Sequence, residues 1–287
     1  MRVRWSYQMQ RSGTEYCIDE NVSLSRRIYR HDSATDWLTF IPGAGAASAI
    51  WRRQVAAFSK GYNVLVIDLP GHGRSTKPAP NASYTFDSVA QQIVAVMDSE
   101  QVSSSHFVAM SLGCLIVEAI ALREPERVKS MVLAGGVTKL NTWATCLIWF
   151  GNLTKMWIPY LWLYRIFAWT IMPGPHHFRT RHLFYAHAKR LSKNEFLRWY
   201  NLTDEVQLLM TRSAGRSSFI PTLFIMGTAD YMFGHYVVQR ARTRRDTSVA
   251  FVRNCGHVCP VESSHEFNKI TQDFLNKLDL SRDRTPA

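Results

Sequence analysis

Cysteine is scarce in this sequence, and its count is odd. The 287 residues include only five cysteines, scattered along the chain: Cys17, Cys114, Cys146, Cys255 and Cys259. A disulfide framework is therefore not expected, and the pattern is typical of a reducing compartment, which predicts a cytoplasmic location. The N-terminal residues also lack the apolar stretch of a secretory signal, so we expect no such signal there.

An uninterrupted apolar run is missing as well. The most apolar stretch, residues 143–172, is interrupted by Lys155, Pro159 and Arg165, whereas a membrane-spanning helix needs about 20 consecutive apolar residues. We therefore expect no transmembrane helix. With 46% hydrophobic and 20% charged residues, the composition is that of an ordinary globular protein and excludes a disordered or fibrous chain.

Acidic residues are fewer than basic residues in this sequence. The chain has 22 Asp and Glu against 34 Lys and Arg, a net charge of +12. Residues 138–220 hold most of the excess and are rich in Trp, Tyr and Phe. This segment has two interpretations: its aromatic residues pack on the core, or they line an apolar pocket while a basic outer face contacts anionic lipid at a membrane surface. No nucleic-acid-binding motif accompanies the charges, so no nucleic-acid partner is expected.

Short apolar, β-branched runs alternate with helical patterns over most of the chain. Strands are predicted at residues 37–41, 62–67, 106–110, 128–134, 221–226 and 248–252. Helices are predicted at 49–59, 86–99, 112–123, 236–244 and 261–278. The alternation predicts an α/β fold with a doubly wound, mostly parallel sheet. Residues 15–19 and 23–30 are predicted to form an antiparallel pair at one edge.

The alternation stops at Gly136 and resumes at Pro221. The 83 residues between, 138–220, are too many for a structureless loop and have a mostly helical pattern. We predict an α/β core of residues 1–137 and 221–287 that carries an inserted helical cap, residues 138–220. Trp157 and Trp162 in the cap are candidate substrate contacts.

The sharpest local pattern is a serine between a predicted strand and a predicted helix. Ser111 is flanked two positions away by Ala109 and Gly113. A tight strand–turn–helix leaves no room for larger side chains there and presents the hydroxyl at the carboxyl edge of the sheet. The alternative is a serine that simply caps the helix.

A serine nucleophile needs a base held by a third group, and both candidates follow in the expected order. Asp230 comes just after the strand predicted at 221–226, and His257 lies in the loop after the last strand. Either residue alone could be a turn aspartate or a loop histidine. Together, after the right elements, they favour a Ser111–His257–Asp230 triad.

Acyl transfer also requires backbone N–H groups for the oxyanion. One candidate is the amide of Leu112, directly after the serine. The other is the amide of Ala44, in the glycine-rich turn after the strand at 37–41. A phosphate-binding loop is the competing interpretation, but Gly-Lys-Ser/Thr is missing.

Two histidine patterns could indicate a metal site. Cys255 and Cys259 flank His257, but they lack the further ligands that a closed zinc site needs, so buried structural thiols are favoured. The cap histidines are interpreted as surface or pocket residues: His176, His177, His182 and His187. His72, between two glycines, is interpreted as a residue that fixes the backbone near the site. No metal and no organic cofactor is expected.

These motifs together resemble the α/β-hydrolase family. The resemblance rests on the serine turn, on Asp68-Leu-Pro-Gly71-His-Gly73-Arg-Ser75 and on Gly256-His257 followed by Glu262, and it covers about residues 36–136 and 221–278. The sequence departs from the family pattern at Pro42, where His is common, and at Ala109, where Gly is usual.

The resemblance implies a two-step hydrolase that cleaves a carboxylic ester of a small or medium hydrophobic substrate without a cofactor. In that mechanism Ser111 is the nucleophile, His257 the base and Asp230 its partner. A thioester, a lactone, an activated amide or a carbon–carbon bond could be cleaved by the same triad. A ligand-binding homologue without activity is the alternative from a different class.

Overall fold

Seven strands form one sheet in the computed structural model, which describes residues 23–79, 82–216 and 219–282. The strands are β1 (Arg26–Tyr29), β2 (Trp37–Ile41), β3 (Asn63–Ile67), β4 (Ser105–Met110), β5 (Val128–Ala134), β6 (Thr222–Gly227) and β7 (Thr247–Val252). Their order is β1-β3-β2-β4-β5-β6-β7. Only β1 and β3 pair antiparallel, so the predicted mostly parallel α/β sheet is confirmed.

Only one of the two segments that were predicted to pair at an edge of the sheet lies among the described residues. β1 lies inside the predicted segment 23–30, and its partner in the sheet is β3. The predicted partner, residues 15–19, lies outside the described residues, as does Cys17.

Eleven α-helices are present in the described residues. They are α1 (Arg52–Phe58), α2 (Phe86–Ser99), α3 (Leu112–Arg123), α4 (Thr142–Thr154), α5 (Tyr160–Ile171), α6 (Phe178–Ala188), α7 (Lys193–Asn201), α8 (Thr203–Ala214), α9 (Gly234–Thr243), α10 (Cys259–Glu262) and α11 (Ser264–Arg282). Because helices cover both faces of the sheet, every residue of β2, β3, β4 and β6 is buried. This burial explains why these strands are continuous apolar runs rather than alternating ones.

Five of the helices, α4 to α8, lie between β5 and β6. Part of this segment has its own small core, made by Leu163, Tyr164, Ala188, Leu191 and Phe196. The last of these helices, α8, packs against α3, and its buried apolar residues belong to the main core. The inserted segment is thus helical and contacts the sheet domain closely, while its division from the core at 138 and 220 stays a prediction.

Polar contacts connect the cap to the loops around the sheet edge. The Tyr84 hydroxyl donates a hydrogen bond to the buried Glu195 carboxylate at 2.8 Å. The Trp199 indole N–H donates to the Pro70 carbonyl at 3.1 Å. Because these side chains are buried, the contacts favour one position of α7 over the sheet. None of the described helices combines the length and apolarity needed to cross a bilayer.

Candidate active site

Ser111 lies on the turn between β4 and α3. Its φ is 53° and its ψ is −121°, a left-handed conformation that is unfavourable for a residue with a side chain. A Cβ on Gly113 would lie 2.6 Å from the Pro42 carbonyl oxygen and 2.7 Å from that of Ile41. The small residue is therefore required because α3 begins directly against the loop that follows β2.

The structure brings the three predicted triad residues together. The Ser111 Oγ lies 2.9 Å from Nε2 of His257, and the Nδ1 atom of the same ring lies 2.8 Å from Oδ2 of Asp230. A carboxylate only accepts hydrogen bonds, so Nδ1 carries the ring proton and Nε2 accepts from the Ser111 hydroxyl. This is the tautomer that a general base needs.

The Asp230–His257 pair is shielded from water. The exposed fraction of the side chain is 2% for His257 and 0% for Asp230. The second carboxylate oxygen, Oδ1, accepts a hydrogen bond from the Phe233 backbone N–H at 3.4 Å. A paired, buried carboxylate of this kind fixes the orientation of the imidazole ring.

The two predicted oxyanion donors lie at the same cavity as the triad. Ala44 and Leu112 both line it, together with Ser111 and His257. Leu112 is the first residue of α3, so its N–H has no acceptor within the helix. The positive end of the helix dipole adds to the preference for negative charge at this point. Both residues thus lie at the cavity beside Ser111, and the role of their amides as oxyanion donors stays a prediction.

His72 holds the loop that carries Ala44. Its Nε2 accepts a hydrogen bond from the Gly45 N–H at 2.8 Å, and its Nδ1 donates to the Pro70 carbonyl at 2.9 Å. Burial lowers the pKa of His72 to about 4, against a smaller opposing effect of the Pro70 hydrogen bond. The neutral imidazole therefore fixes the backbone next to the site, which is the role that the sequence predicted.

We expect His72 to make the fold less stable as the pH falls from about 6.5 to about 4. The folded state keeps the ring neutral while the unfolded chain binds a proton below its ordinary pKa, so the contribution is fully present above that value and is lost on acidification. Between about pH 7 and pH 5 the wild-type protein should lose roughly 2 kcal/mol more free energy of unfolding than His72→Gln. Urea unfolding at both pH values measures this. Equal losses would show that His72 does not titrate in this way.

The cavity above Ser111 has a volume of about 220 Å³. Its wall is contributed by the loop after β2, by Ser111 and His257, by neighbouring residues of the sheet domain and by the cap. Val137 and the lining residues of the cap are almost all apolar; those of the cap are Leu140, Ala144, Leu147, Ile148, Phe150, Gly151, Leu163, Tyr164, Ile166, Phe167, Ile171, Phe184, Phe196, Trp199, Tyr200, Thr203 and Val206. Among the described residues that line it, none is Asp, Glu, Lys or Arg.

Trp157 and Trp162 do not reach this cavity, which corrects the prediction that they contact substrate. Their exposed fractions are 87% and 57%, and neither lines the wall. The reason is helical periodicity: on α5 the buried residues next to Trp162 are Leu163 and Tyr164, which point to the opposite side from Trp162. The sequence showed that the segment is rich in aromatic residues, but it did not show which face of each helix turns inward.

The sequence interpretation missed a buried contact between the cap and the histidine loop. The Gly256 N–H donates a hydrogen bond to Glu262 Oε2 at 2.7 Å, and Nδ1 of His177 lies 3.0 Å from the same oxygen. His177 was interpreted as a surface or pocket residue, whereas only 1% of its side chain is exposed. Gly256, next to His257, is therefore held by Glu262 of the core, and Glu262 is itself in contact with His177 of the cap.

Cys255 and Cys259 fit the interpretation as buried structural thiols, and the side chain of His176 lies outside the described residues. Cys255 and Cys259 are buried free thiols beside His257, and hydrogen bonding to Cys259 together with burial raises the pKa of Cys255. Within the described ranges, no three His, Cys, Asp or Glu side chains come together as metal ligands do. His182 is exposed and His187 is half-buried, with its pKa lowered mainly by burial.

Comparisons with known proteins agree with this architecture. The family model for the alpha/beta hydrolase fold matches residues 36–159. A 2-hydroxymuconate semialdehyde hydrolase from Pseudomonas sp. (strain CF600) is 34% identical over 120 residues, 40% of this chain and 42% of that protein. The 3-oxoadipate enol-lactonase 2 of Acinetobacter baylyi is 29% identical over 104 residues, 36% of this chain and 38% of that protein. The matched region thus spans about two fifths of these relatives.

Similarity in structure extends over nearly the whole chain. The enol-lactonase from Burkholderia xenovorans LB400 superimposes with a TM-score of 0.76 and 21% sequence identity, covering 91% of this chain and 100% of that one. At 21% sequence identity, this similarity shows that the two proteins share a fold and nothing further. With the strand order, the serine turn and the family match in agreement, the chain has the α/β-hydrolase fold.

Proposed function

We propose that this protein is a serine hydrolase that cleaves a neutral carboxylic ester with an apolar acyl group. What supports the proposal above all is that the hydrogen-bonded chain Ser111–His257–Asp230 ends at a cavity without charged lining residues among those described. The tautomer of His257 suits proton removal from Ser111. The hydrolytic relatives make the same class of reaction the expected one.

The reaction follows from this geometry in two steps. As Ser111 Oγ attacks the ester carbon, its proton passes to Nε2 of His257, and the carbonyl electrons form an oxyanion between the N–H groups of Ala44 and Leu112. Each such donor contributes about 3–4 kcal/mol where it has been removed in other enzymes. His257 then protonates the leaving alcohol, and the acyl group remains on Ser111. Water, deprotonated by His257, releases the acid and restores the serine.

The apolar wall favours neutral substrates over anionic ones. Moving a carboxylate from water into such a cavity leaves its charge without a partner, which costs several kcal/mol. The relatives include a hydrolase of a muconate semialdehyde and an oxoadipate enol-lactonase, both of which are named for acidic compounds. The lining of this cavity argues against such a substrate here, whereas neutral thioesters and lactones remain compatible with the same triad.

A panel of p-nitrophenyl esters tests the substrate class. We expect kcat/KM to rise with acyl length while the chain fits the cavity, and a hemisuccinate ester to react at least about 100-fold more slowly than the neutral pentanoate, since the unpaired charge costs several kcal/mol. Leu147→Trp, which places an indole in the cavity wall, should shift the optimum to shorter acyl chains.

The matched control is Leu153→Trp, the same change on the outer face of α4, where Leu153 is exposed. It should leave the chain-length optimum unchanged. A hemisuccinate that reacts as fast as the pentanoate would contradict the proposed preference for neutral acyl groups. Inactivity toward every ester, thioester and lactone would favour the ligand-binding alternative.

A further inference from the structure

Two helices of the cap are apolar on both sides. On α4 and α5 one face lines the cavity, through residues such as Leu147, Ile148 and Leu163. The other face is turned to solvent, yet it carries Trp143, Trp149, Leu153, Trp162 and Trp169, with exposed fractions between 55% and 79%. A helix that is apolar all round is ordinarily buried in a protein or in lipid. We call the outer aromatic and aliphatic residues of α4 and α5, with Met156 and Trp157 between them, the outer patch.

The outer patch is a group of exposed apolar residues, whereas an ordinary protein surface has such residues scattered singly. It contains five exposed tryptophans, and Trp157 alone is 87% exposed. Tryptophan is enriched where proteins meet the boundary between lipid and water, because its indole offers a large apolar surface and one N–H donor. The composition of the patch therefore points to lipid more than to a polar partner.

The segment that carries the outer patch has charges of one sign. From residue 127 to residue 194 the sequence has no Asp or Glu, while basic residues occur throughout. The exposed Arg165 places its guanidinium over the Trp162 ring at 5.2 Å, and the Arg181 guanidinium lies over the Trp169 ring at 3.9 Å. A surface of this kind attracts anionic headgroups, each nearby cation contributing about 1 kcal/mol at a charged membrane. Two copies facing each other through the same patch would instead bring like charges together.

The wall of the cavity reaches the protein surface in the outer patch. Two residues of the wall are also exposed, Phe150 on α4 and Ile166 on α5. We take this part of the wall, on the two helices that carry most of the tryptophans, as the mouth of the cavity. A protein attached to a membrane through this patch would thus place the mouth of its cavity against the acyl region of the lipid.

We infer that the outer patch attaches the protein to the surface of an anionic bilayer, with the cavity mouth facing the lipid. The attachment is peripheral: α4 and α5 lie along the surface with their outer face among the headgroups and upper acyl chains. The binding itself does not depend on the proposed activity. That an apolar ester enters from the bilayer rests on the proposed function.

Vesicle sedimentation of the full chain tests the attachment. Vesicles of phosphatidylcholine alone are compared with vesicles that also hold about 30% phosphatidylglycerol, at about 0.05 M and about 0.5 M NaCl. Wild-type protein should sediment with the anionic vesicles and be released at high salt. The Trp143→Ser/Trp149→Ser variant should bind on the order of tenfold or more weakly, since each indole offers roughly 150–250 Å² to bury.

The matched control is Phe219→Ser, which removes another highly exposed aromatic side chain. Phe219 precedes β6, at the end of the sheet opposite to Asp230, so vesicle binding should stay at the wild-type level. Thermal unfolding of both variants checks that they fold. Ser111→Ala should bind vesicles as the wild type does, because binding needs no catalysis, and this separates failure of the attachment from failure of the proposed activity.

Three results would overturn the inference. One is equal recovery of wild-type protein in the supernatant with both kinds of vesicle. Another is binding that the two tryptophan substitutions leave unchanged. The third is absence of vesicle binding together with a dimer, seen by analytical ultracentrifugation, that the same substitutions dissociate; the patch would then be an interface between copies of this chain.

Discussion

Ser111→Ala is expected to lower kcat for ester hydrolysis by on the order of 10⁵- to 10⁶-fold, the size of loss seen when the nucleophile of other serine hydrolases is removed. Without the hydroxyl, the His257 Nε2 atom has no proton to take and no acyl-enzyme can form. KM should change little, because the substrate is held by the apolar cavity. Steady-state rates on a p-nitrophenyl ester measure this, and a fluorophosphonate should label wild-type protein on the peptide that contains Ser111.

A second substitution at the same position separates chemistry from backbone strain. Ser111 has a φ of 53°, which glycine adopts without the penalty of a Cβ. Ser111→Gly should therefore be as inactive as Ser111→Ala, but more stable than it by about 1 kcal/mol in urea unfolding. A fluorophosphonate tag on a different serine, or full activity in either variant, would contradict the assignment of the nucleophile.

Asp230→Asn is expected to lower kcat by about 10⁴-fold while leaving the fold intact, as the same change does in a serine protease. The asparagine amide can donate to Nδ1 of His257, which moves the ring proton to Nε2. That nitrogen then no longer accepts from the Ser111 hydroxyl, now 2.9 Å away. The rate of fluorophosphonate labelling should fall together with kcat, because both need an activated serine.

The control for Asp230→Asn is Asp204→Asn, the same substitution at an exposed position on α8. Its kcat and labelling rate should match those of the wild type. If Asp230→Asn kept wild-type activity, the hydrogen bond between Asp230 and His257 would be structural and the base would need another partner. If Asp230→Asn greatly lowered the thermal unfolding temperature, the loss of activity would reflect unfolding and would not test the tautomer of His257.

Most of the sheet was predictable because buried parallel strands have a simple pattern. Each strand predicted between residues 37 and 252 agrees with β2 to β7 to within one residue at either end. The cause is burial on both faces, which selects apolar, β-branched residues at every position of a strand. β7, at the edge of the sheet, keeps the strand conformation although most of its residues are only partly buried or exposed.

The cap was harder to interpret because two of its helices, α4 and α5, have no polar face to orient them. Amphipathic periodicity tells which side of a helix is buried, and α7 shows it with buried Phe196 and Trp199. On α4 and α5 both sides are apolar, so Trp162 and Leu163 look alike in sequence while one is exposed and the other buried. The buried pair of His177 and Glu262 was hidden for a related reason, since its partners are 85 residues apart.

The amino-acid sequence alone determined the order of strands and helices and the three side chains at their ends, because local periodicity and turn chemistry act over a few residues. Tertiary structure decided which atoms meet: the 2.8 Å and 2.9 Å contacts of His257 join residues far apart in the chain. It also decided which face of the cap closes over the cavity, since that depends on the summed packing of all helices against the sheet rather than on any one segment.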